Sequence, residues 1–212
     1  MAEQEHYFTA RPSSAGERRT IEVELAGRLV TLQTAGGVFS PDHVDLGTRV
    51  LLRTVPTPPA TGDLLDLGCG WGPVALTMAL LSAGAHVWAV DVNERALDLV
   101  RRNAAVLGLD NVTAATPDEV PPDVRFATVW SNPPVRVGKD ELHALLRRWL
   151  SRLDPAAEAW LVVGRHLGAD PLLRWLQEEL GPGVDSERAA SAKGFRVLCA
   201  RAADTSADDP AR

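Results

Sequence analysis

Short apolar runs alternate along the chain with segments whose apolar residues recur at helical spacing, the pattern of strands interleaved with amphipathic helices. Near the start, Thr20-Ile21-Glu22-Val23-Glu24-Leu25 alternates apolar and polar, and residues 28–34 form a second β-like run. Ala26-Gly27 between them predicts a hairpin. Gly36 to Pro41 reads as a loop, and residues 44–52 as a helix. Residues 54–62, with Pro56, Pro58 and Pro59, read as a connector into the main domain. There, strands are expected at Leu64-Leu65, 86–91, 111–115, 126–130 and 159–163. Helices are expected at 74–80 and at 94–107, the latter capped by Asn93 and stopped by Gly108. Leu142, Leu145, Leu146, Trp149, Leu150 and Leu153 form one helical stripe, from which Arg147, Arg148 and Arg152 point away to solvent. Asp170-Pro171 predicts a further helix, with Asp170 as cap and Pro171 in its first position. Two final β-like runs, 184–191 and 195–200, meet at Lys193-Gly194 as a terminal hairpin.

Strands alternating with helices predict an α/β fold: a parallel sheet covered on both faces, with the final hairpin contributing an antiparallel strand. The expected division is an arm, hairpin and helix packed on the core over 1–55, a main domain over 56–202 and a disordered polar tail over 203–212.

The bulk numbers narrow the function classes. The 212 residues suffice for one domain with a sizeable core. The net charge of −6 argues against general nucleic-acid affinity, so an RNA substrate would have to meet a local basic patch. Two cysteines, Cys69 and Cys199, form neither a disulfide framework nor a metal spacing, which fits a reducing cytoplasm. Residues 1–5 have no signal-peptide pattern, and no apolar run is long enough to span a membrane. His43, His143 and His166 show no metal or triad arrangement, so no metal is expected.

Candidate chemistry begins at Asp66-Leu67-Gly68-Cys69-Gly70-Trp71-Gly72, between a buried strand and an apolar helix. Glycine reaches positive φ at little steric cost and lets a ligand approach the backbone. The dinucleotide pattern is G-x-G-x-x-G; here it is G-x-G-x-G with Asp66 ahead of it. A carboxylate at the mouth of the loop repels a pyrophosphate and attracts an ammonium, which points to a nucleoside carrying a cationic amino-acid part. Asp91 ends the next strand, where a carboxylate can bind both hydroxyls of a ribose, and Asp118 follows the third, where it can accept from an adenine amine. Each carboxylate alone also fits a helix cap or turn.

Ser131-Asn132-Pro133-Pro134 follows the next strand at the same edge. The prolines stiffen the loop and remove two backbone donors. What remains is acceptors, the Asn132 side-chain oxygen and the Pro133 carbonyl, suited to holding an –NH₂ group with its lone pair turned outward for in-line methyl transfer. Positioning supplies most of the rate, and no strong base is required.

The glycine loop, the strand-end carboxylates and the terminal hairpin together resemble the class I S-adenosylmethionine (SAM) methyltransferases. That resemblance implies a Rossmann-like, mostly parallel seven-stranded sheet with a C-terminal antiparallel hairpin, here with an N-terminal β-hairpin extension. It implies SAM as cofactor, with Asp66, Gly68, Cys69, Gly70 and Gly72 on its methionine and ribose side. Asp91 and Val92 are implied at the ribose, Asp118 at the adenine, and Asn132 and Phe39 as further contacts. Asn-Pro-Pro resembles amino-group methyltransferases acting on adenine N6, guanine N2 or a protein glutamine amide, and implies Asn132, Pro133 and Pro134 as the catalytic loop. Many of these carry an aromatic after the prolines; here the position is Val135, and Phe39, Tyr7 or Phe8 are the candidates to stack on a flipped base instead.

The stretches 37–40, 44–48, 66–73, 132–139 and 193–198 are more specifically similar to the small-domain (MTS) methyltransferase family, with the likeness running from about residue 6 to about residue 200. The catalytic half of ribosomal RNA small subunit methyltransferase C, a guanine-N2 enzyme of 16S rRNA, belongs to that family. Its long members carry a second, degenerate domain that this chain is too short to hold, so RNA recognition by that copy does not carry over. The expected function is SAM-dependent methylation of an exocyclic amine, first guanine N2 of ribosomal RNA, with 16S rRNA or the small ribosomal subunit as partner. Glutamine-amide or adenine-N6 methylation and a non-catalytic SAM-binding module are the alternatives. A dehydrogenase stays open, although no dehydrogenase catalytic pair is evident. Val135, Arg136, Lys139 and Phe39 are the expected substrate contacts, with Arg11, Arg18, Arg19 and Lys193 as further phosphate contacts or ordinary surface charge.

Overall fold

The computed structural model describes residues 17–180 and 183–204. The expected aromatic arm with Tyr7 and Phe8, Arg11 and residues 205–212 of the expected tail lie outside the described residues.

The chain enters through a hairpin of β1 (Arg18–Leu25) and β2 (Arg28–Ala35). Ala26 and Gly27 both take positive φ, 50° and 73°, the turn geometry that matches the twist of a two-residue hairpin. Val23, Leu25 and Leu32 bury one face of this hairpin against Trp71, Leu76, Ala96 and Leu99 of the main body. Helix α1 (Leu46–Thr54) follows, capped by the Asp45 carboxylate, which accepts the N–H groups of Gly47 and Thr48.

The main sheet contains β3 (Asp63–Leu67), β4 (His86–Val90), β5 (Val112–Ala115), β6 (Phe126–Ser131), β7 (Leu153–Gly164), β8 (Val184–Ala192) and β9 (Phe195–Ala202). Helices α2 (Pro73–Leu81) and α3 (Glu94–Leu107) follow β3 and β4, and α4 (Lys139–Leu150) and α5 (Ala169–Glu179) follow β6 and β7. The seven strands lie in the order β5-β4-β3-β6-β7-β9-β8. The first five pair in parallel, and β9 runs antiparallel between β7 and β8. The expected mostly parallel seven-stranded sheet with an antiparallel C-terminal hairpin is therefore what forms.

Both faces are covered, which is why the strands read as nearly continuous apolar runs. Leu65, Leu67 and Val129 face the layer holding Leu146, Trp149 and Leu176, whereas Leu64 and Trp130 face the layer holding Val50, Met78 and Val100. Helix α3 begins and ends as the sequence predicts: Asn93 accepts the Arg95 N–H at 3.0 Å, and Gly108 takes φ 66°.

Two expectations are corrected. Leu153 is not part of the α4 stripe: α4 stops at Leu150, and Leu153 opens β7 opposite Phe126. A turn returns the chain to the same apolar layer, so its helical spacing was coincidental. Asp170 is not the cap of α5 either. Gly168, at φ 93°, occupies that position, and the Asp170 carboxylate is drawn to Arg196 instead, 2.7 Å from its Nε.

The chain proceeds from β3 outward to β5, then returns to place β6 on the other side of β3. This reversal leaves a crevice at the carboxyl ends of β3 and β6, where open α/β sheets bind ligands. Among the described residues no helix is long and apolar enough to cross a membrane.

Candidate active site

A cavity of about 310 Å³ occupies that crevice. Gly68 and Gly70 reach it from the loop after β3, Asp91 and Val92 from the end of β4, and Asn132 to Arg136 from the end of β6. Phe39, Val92 and Leu167 line it while remaining 38%, 43% and 52% exposed, so they form an apolar mouth. A small polar recess of about 30 Å³ adjoins it, sharing Phe39, Asp45, Gly68, Gly70 and Asn132 and bounded also by Thr48 and Asp66.

The three loop glycines have different tasks. Gly68 and Gly70 have φ of 78° and 54°; a Cβ on Gly70 would meet nothing within 4 Å, and one on Gly68 only Pro134 and the Asn132 carbonyl at 3.9–4.0 Å. Their open sides allow a ligand close to the backbone. Gly72 does not line the cavity, which corrects its expected ligand contact. It caps α2 at φ 100°, and a Cβ there would stand 3.1 Å from Val100 Cγ2 and 3.4 Å from Leu76. Helix packing makes Gly72 a glycine. Cys69 also turns from the main cavity into the core, bordering only the recess. Burial holds its thiol well above the ordinary range, so it stays protonated. Trp71 lies under the entry hairpin and donates its indole N–H to the Ser40 carbonyl at 3.0 Å, tying the Gly36–Pro41 loop to the glycine loop.

The carboxylates also separate. Asp66 is fully buried beneath the loop, where its Oδ2 accepts the Ala75 N–H at 2.8 Å in the first turn of α2. Burial pushes its pKa from 3.8 up to about 8, and the nearby Asp91 charge adds to the rise. It borders the recess and not the main cavity. Asp91 does line the cavity, and it also holds the loop: Oδ2 accepts the Gly70 N–H and Oδ1 the Asn93 N–H, both at 2.9 Å. Burial raises its pKa as well, opposed by these backbone N–H groups. Asp118 is turned away. Its carboxylate is 91% exposed and pairs with Arg148 at 3.0 Å, while its neighbour Pro117 lines the cavity. The expected adenine contact at Asp118 is therefore corrected: a guanidinium on α4 draws it to the outer surface.

Asn132 ends β6 and is fixed from outside its own loop. Its Nδ2 donates to Asp45 Oδ2 and to Thr48 Oγ1, each at 3.1 Å. Both amide protons are thereby used, and Oδ1 has no protein partner among the described residues. The Pro133 carbonyl, the second expected acceptor, already accepts the Val135 N–H at 2.8 Å and keeps one lone pair. Val135 and Arg136 line the cavity in a short 3-10 turn, Val135–Val137, whereas Lys139 opens α4 at the rim without lining it.

Of the further candidate phosphate contacts, Arg18 pairs with Asp98 at 3.1 Å and Arg19 with Asp42 at 2.7 Å, both on the surface. The arginines on and just after α4 are not simply solvated: Arg147 pairs with Glu179, Arg148 with Asp118, and Arg152 donates to the carbonyls of Pro121 and Val124. Sequence reasoning missed Asp45, Thr48, Pro117, Leu167 and Phe195 as parts of the site. For Asp45 the signal was present, since Asp-x-Gly-Thr before an apolar helix is a capping pattern. Among the described residues, no group of three or more His, Cys, Asp or Glu is placed to hold a metal ion.

A family model, methyltransferase small domain, matches residues 29–199, which include every element that borders the cavity. The chain belongs to the methyltransferase small domain family. Among the relatives of this methyltransferase is the uncharacterized protein YbxB of Bacillus subtilis, 34% identical over 177 residues, which cover 82% of this chain and 88% of that protein. Ribosomal RNA small subunit methyltransferase C of Aeromonas hydrophila is 32% identical over 150 residues, 68% of this chain and 43% of that enzyme. Among solved structures, the Thermus thermophilus 16S rRNA N2 G1207 methyltransferase (RsmC) in complex with AdoMet and guanosine superposes with a TM-score of 0.75 at 26% identity. It is matched over 91% of this chain and 52% of that one. The chain thus spans about half the length of the RsmC relatives it matches. The fold is the Rossmann-like fold of these methyltransferases.

Proposed function

We propose that the protein is a SAM-dependent N-methyltransferase acting on an exocyclic amine, with guanine N2 of ribosomal RNA as the acceptor. One observation carries the reading: Asn132, followed by two prolines, has both amide protons engaged and its Oδ1 unpaired where it borders the cavity beside the glycine loop. The residues fit the cofactor. Gly68 and Gly70 leave open backbone beside the cavity, and Asp91 offers a carboxylate at the end of β4.

Bound SAM would supply an electrophilic sulfonium methyl: the amine nitrogen would gain the N–C bond, sulfur would keep the electron pair of the broken S–C bond, and the amine's proton would pass to solvent. The protein's share is positioning. Asp91 accepts from the ribose hydroxyls. Asn132 Oδ1 and the remaining lone pair of the Pro133 carbonyl accept from the amine's N–H bonds, turning its lone pair toward the methyl. The apolar mouth of Phe39, Val92 and Leu167 receives the flat acceptor and excludes water.

RNA is supported by the RsmC relatives and by charge at the rim. Arg136 and Lys139 follow β6, Arg165 follows β7, and Lys193 lies in the β8–β9 turn. The Arg165 N–H donates to the Gly194 carbonyl at 2.8 Å, so the last two loops adjoin. None of these four has an acidic partner among the described residues, although the chain as a whole carries a net charge of −6. This is the local patch that an acidic protein needs to meet a phosphate backbone. The second reading is a protein glutamine amide, and Val135, where many amino-group methyltransferases carry an aromatic, does not separate the two. Incubation with labelled SAM and unmodified ribosomal RNA tests the proposal. Transfer by the wild type and its loss in Asn132→Ala are expected; transfer undiminished in Asn132→Ala sinks it. Label found only on protein would establish the second reading.

A further inference from the structure

We propose that Asp45 and Thr48, on the helix ahead of the sheet, are positioning residues that set which end of the Asn132 amide enters the cavity. The inference rests on the reading of Asn132 as the residue that accepts from the substrate amine. An asparagine side chain is nearly symmetric in shape but opposite in chemistry at its two ends. Presented one way it offers an acceptor, and flipped it offers donors that repel an amine's N–H bonds. Nothing within Asn132-Pro133-Pro134 decides between the two.

Asp45 decides it, with the Thr48 hydroxyl as the second acceptor. Both oxygens stand 3.1 Å from Asn132 Nδ2, and one is a carboxylate oxygen that cannot donate when ionised. A flipped amide would bring Oδ1 against Asp45 Oδ2, oxygen against oxygen, and lose a charge-assisted bond. The Asp45 carboxylate is itself immobilised. Its Oδ2 accepts the Gly47 N–H at 2.8 Å and the Thr48 N–H at 3.3 Å at the positive end of α1. Gly47 has no room for a side chain, since a Cβ there would lie 2.8 Å from Phe195 Cε1 and 2.9 Å from Asp45 Oδ2. Thr48 is buried as well. The helix terminus is thus clamped between β9 and the end of β6, and its carboxylate is held against the amide.

The test compares Thr48→Val, Asp45→Ser and Asp45→Asn with Asn132→Ala in the full chain. Thr48→Val removes one acceptor at nearly constant shape, and Asp45→Ser keeps a capping oxygen for α1 while withdrawing the carboxylate. Three quantities are read: SAM affinity by calorimetry, the single-turnover rate on ribosomal RNA, and the side-chain amide resonances of Asn132 in the ligand-free protein. Thr48→Val is expected to slow transfer about tenfold and Asp45→Ser further, each with SAM affinity within about threefold of wild type. Both are expected to shift the Asn132 Nδ2 protons. Asp45→Asn, whose amide oxygen can still accept, recovers part of the rate. Unchanged rate and unchanged Asn132 resonances in Thr48→Val and Asp45→Ser, with transfer abolished in Asn132→Ala, overturn the positioning role and leave the reading of Asn132 standing. Full transfer in Asn132→Ala overturns that reading itself. Should Asp45→Ser fail to fold, the rate and resonances of Thr48→Val decide.

Discussion

Alanine at Gly70 and at Gly72 should separate ligand contact from packing within one loop. Both glycines have positive φ, where an L-residue costs about 1–2 kcal/mol. At Gly70 the new methyl meets nothing within 4 Å and enters the cavity. The stability cost is therefore about 1 kcal/mol, roughly 2–4 °C in Tm for a chain of this size. SAM affinity falls at least about tenfold, because the methyl occupies the close approach that the glycine provides. At Gly72 the methyl lies 3.1 Å from Val100 Cγ2 and 3.4 Å from Leu76, so overpacking adds to the backbone strain. The sum is about 3 kcal/mol, roughly 6–12 °C in Tm, with the affinity of the folded protein within about threefold of wild type. Thermal unfolding and calorimetric SAM titration measure both quantities. A Gly72→Ala protein that unfolds at the wild-type temperature but no longer binds SAM would refute this division, and so would a Gly70→Ala protein with unaltered affinity.

Three further outcomes are expected. Asp66 keeps its proton to about pH 8 when folded, whereas the unfolded chain releases it near 3.8. Its contribution to stability is complete below 3.8 and is lost as pH rises to about 8, by about 1.4 kcal/mol per unit at most. Urea unfolding of Asp66→Asn should therefore show a flatter pH dependence across that window, and parallel curves would contradict the burial assigned to this acid. Asp91→Ala removes an acceptor from the Gly70 and Asn93 N–H groups, and should cost about 1–3 kcal/mol of stability as well as at least tenfold in SAM affinity. Arg136→Ala and Lys139→Ala should each lower the slope of log affinity against log salt for RNA by about one while SAM affinity holds, and slopes equal to wild type would remove these cations from the RNA face.

The parts of the fold that were legible in the sequence are those governed by nearby residues. Asn93 and Gly108 bracket α3 because a cap acts within one turn of the helix it ends. The glycine loop was recognisable because positive φ restricts residue type, although the pattern could not separate Gly70, which faces the cavity, from Gly72, which faces Val100. Asp118 misled because its partner, Arg148, comes 30 residues later on another helix. Leu153 misled because a turn can return a chain to the same apolar layer at helical spacing. Asp45 caps α1, but its bond to Asn132 spans 87 positions, and no local pattern carries that information.

The clamp on α1 also bears on the order in which the protein becomes competent. The glycine loop is built from β3, α2 and the end of β4, with Ser40 and α3 as its further supports, all ahead of β5. The acceptor side needs residues 45–48 from near the start, Asn132 from the middle and Phe195 from near the end. Contacts so distant in sequence close late in folding. Truncation just ahead of Phe195 therefore removes the lateral support of α1, whose capping carboxylate holds the Asn132 amide more than sixty residues upstream of the cut.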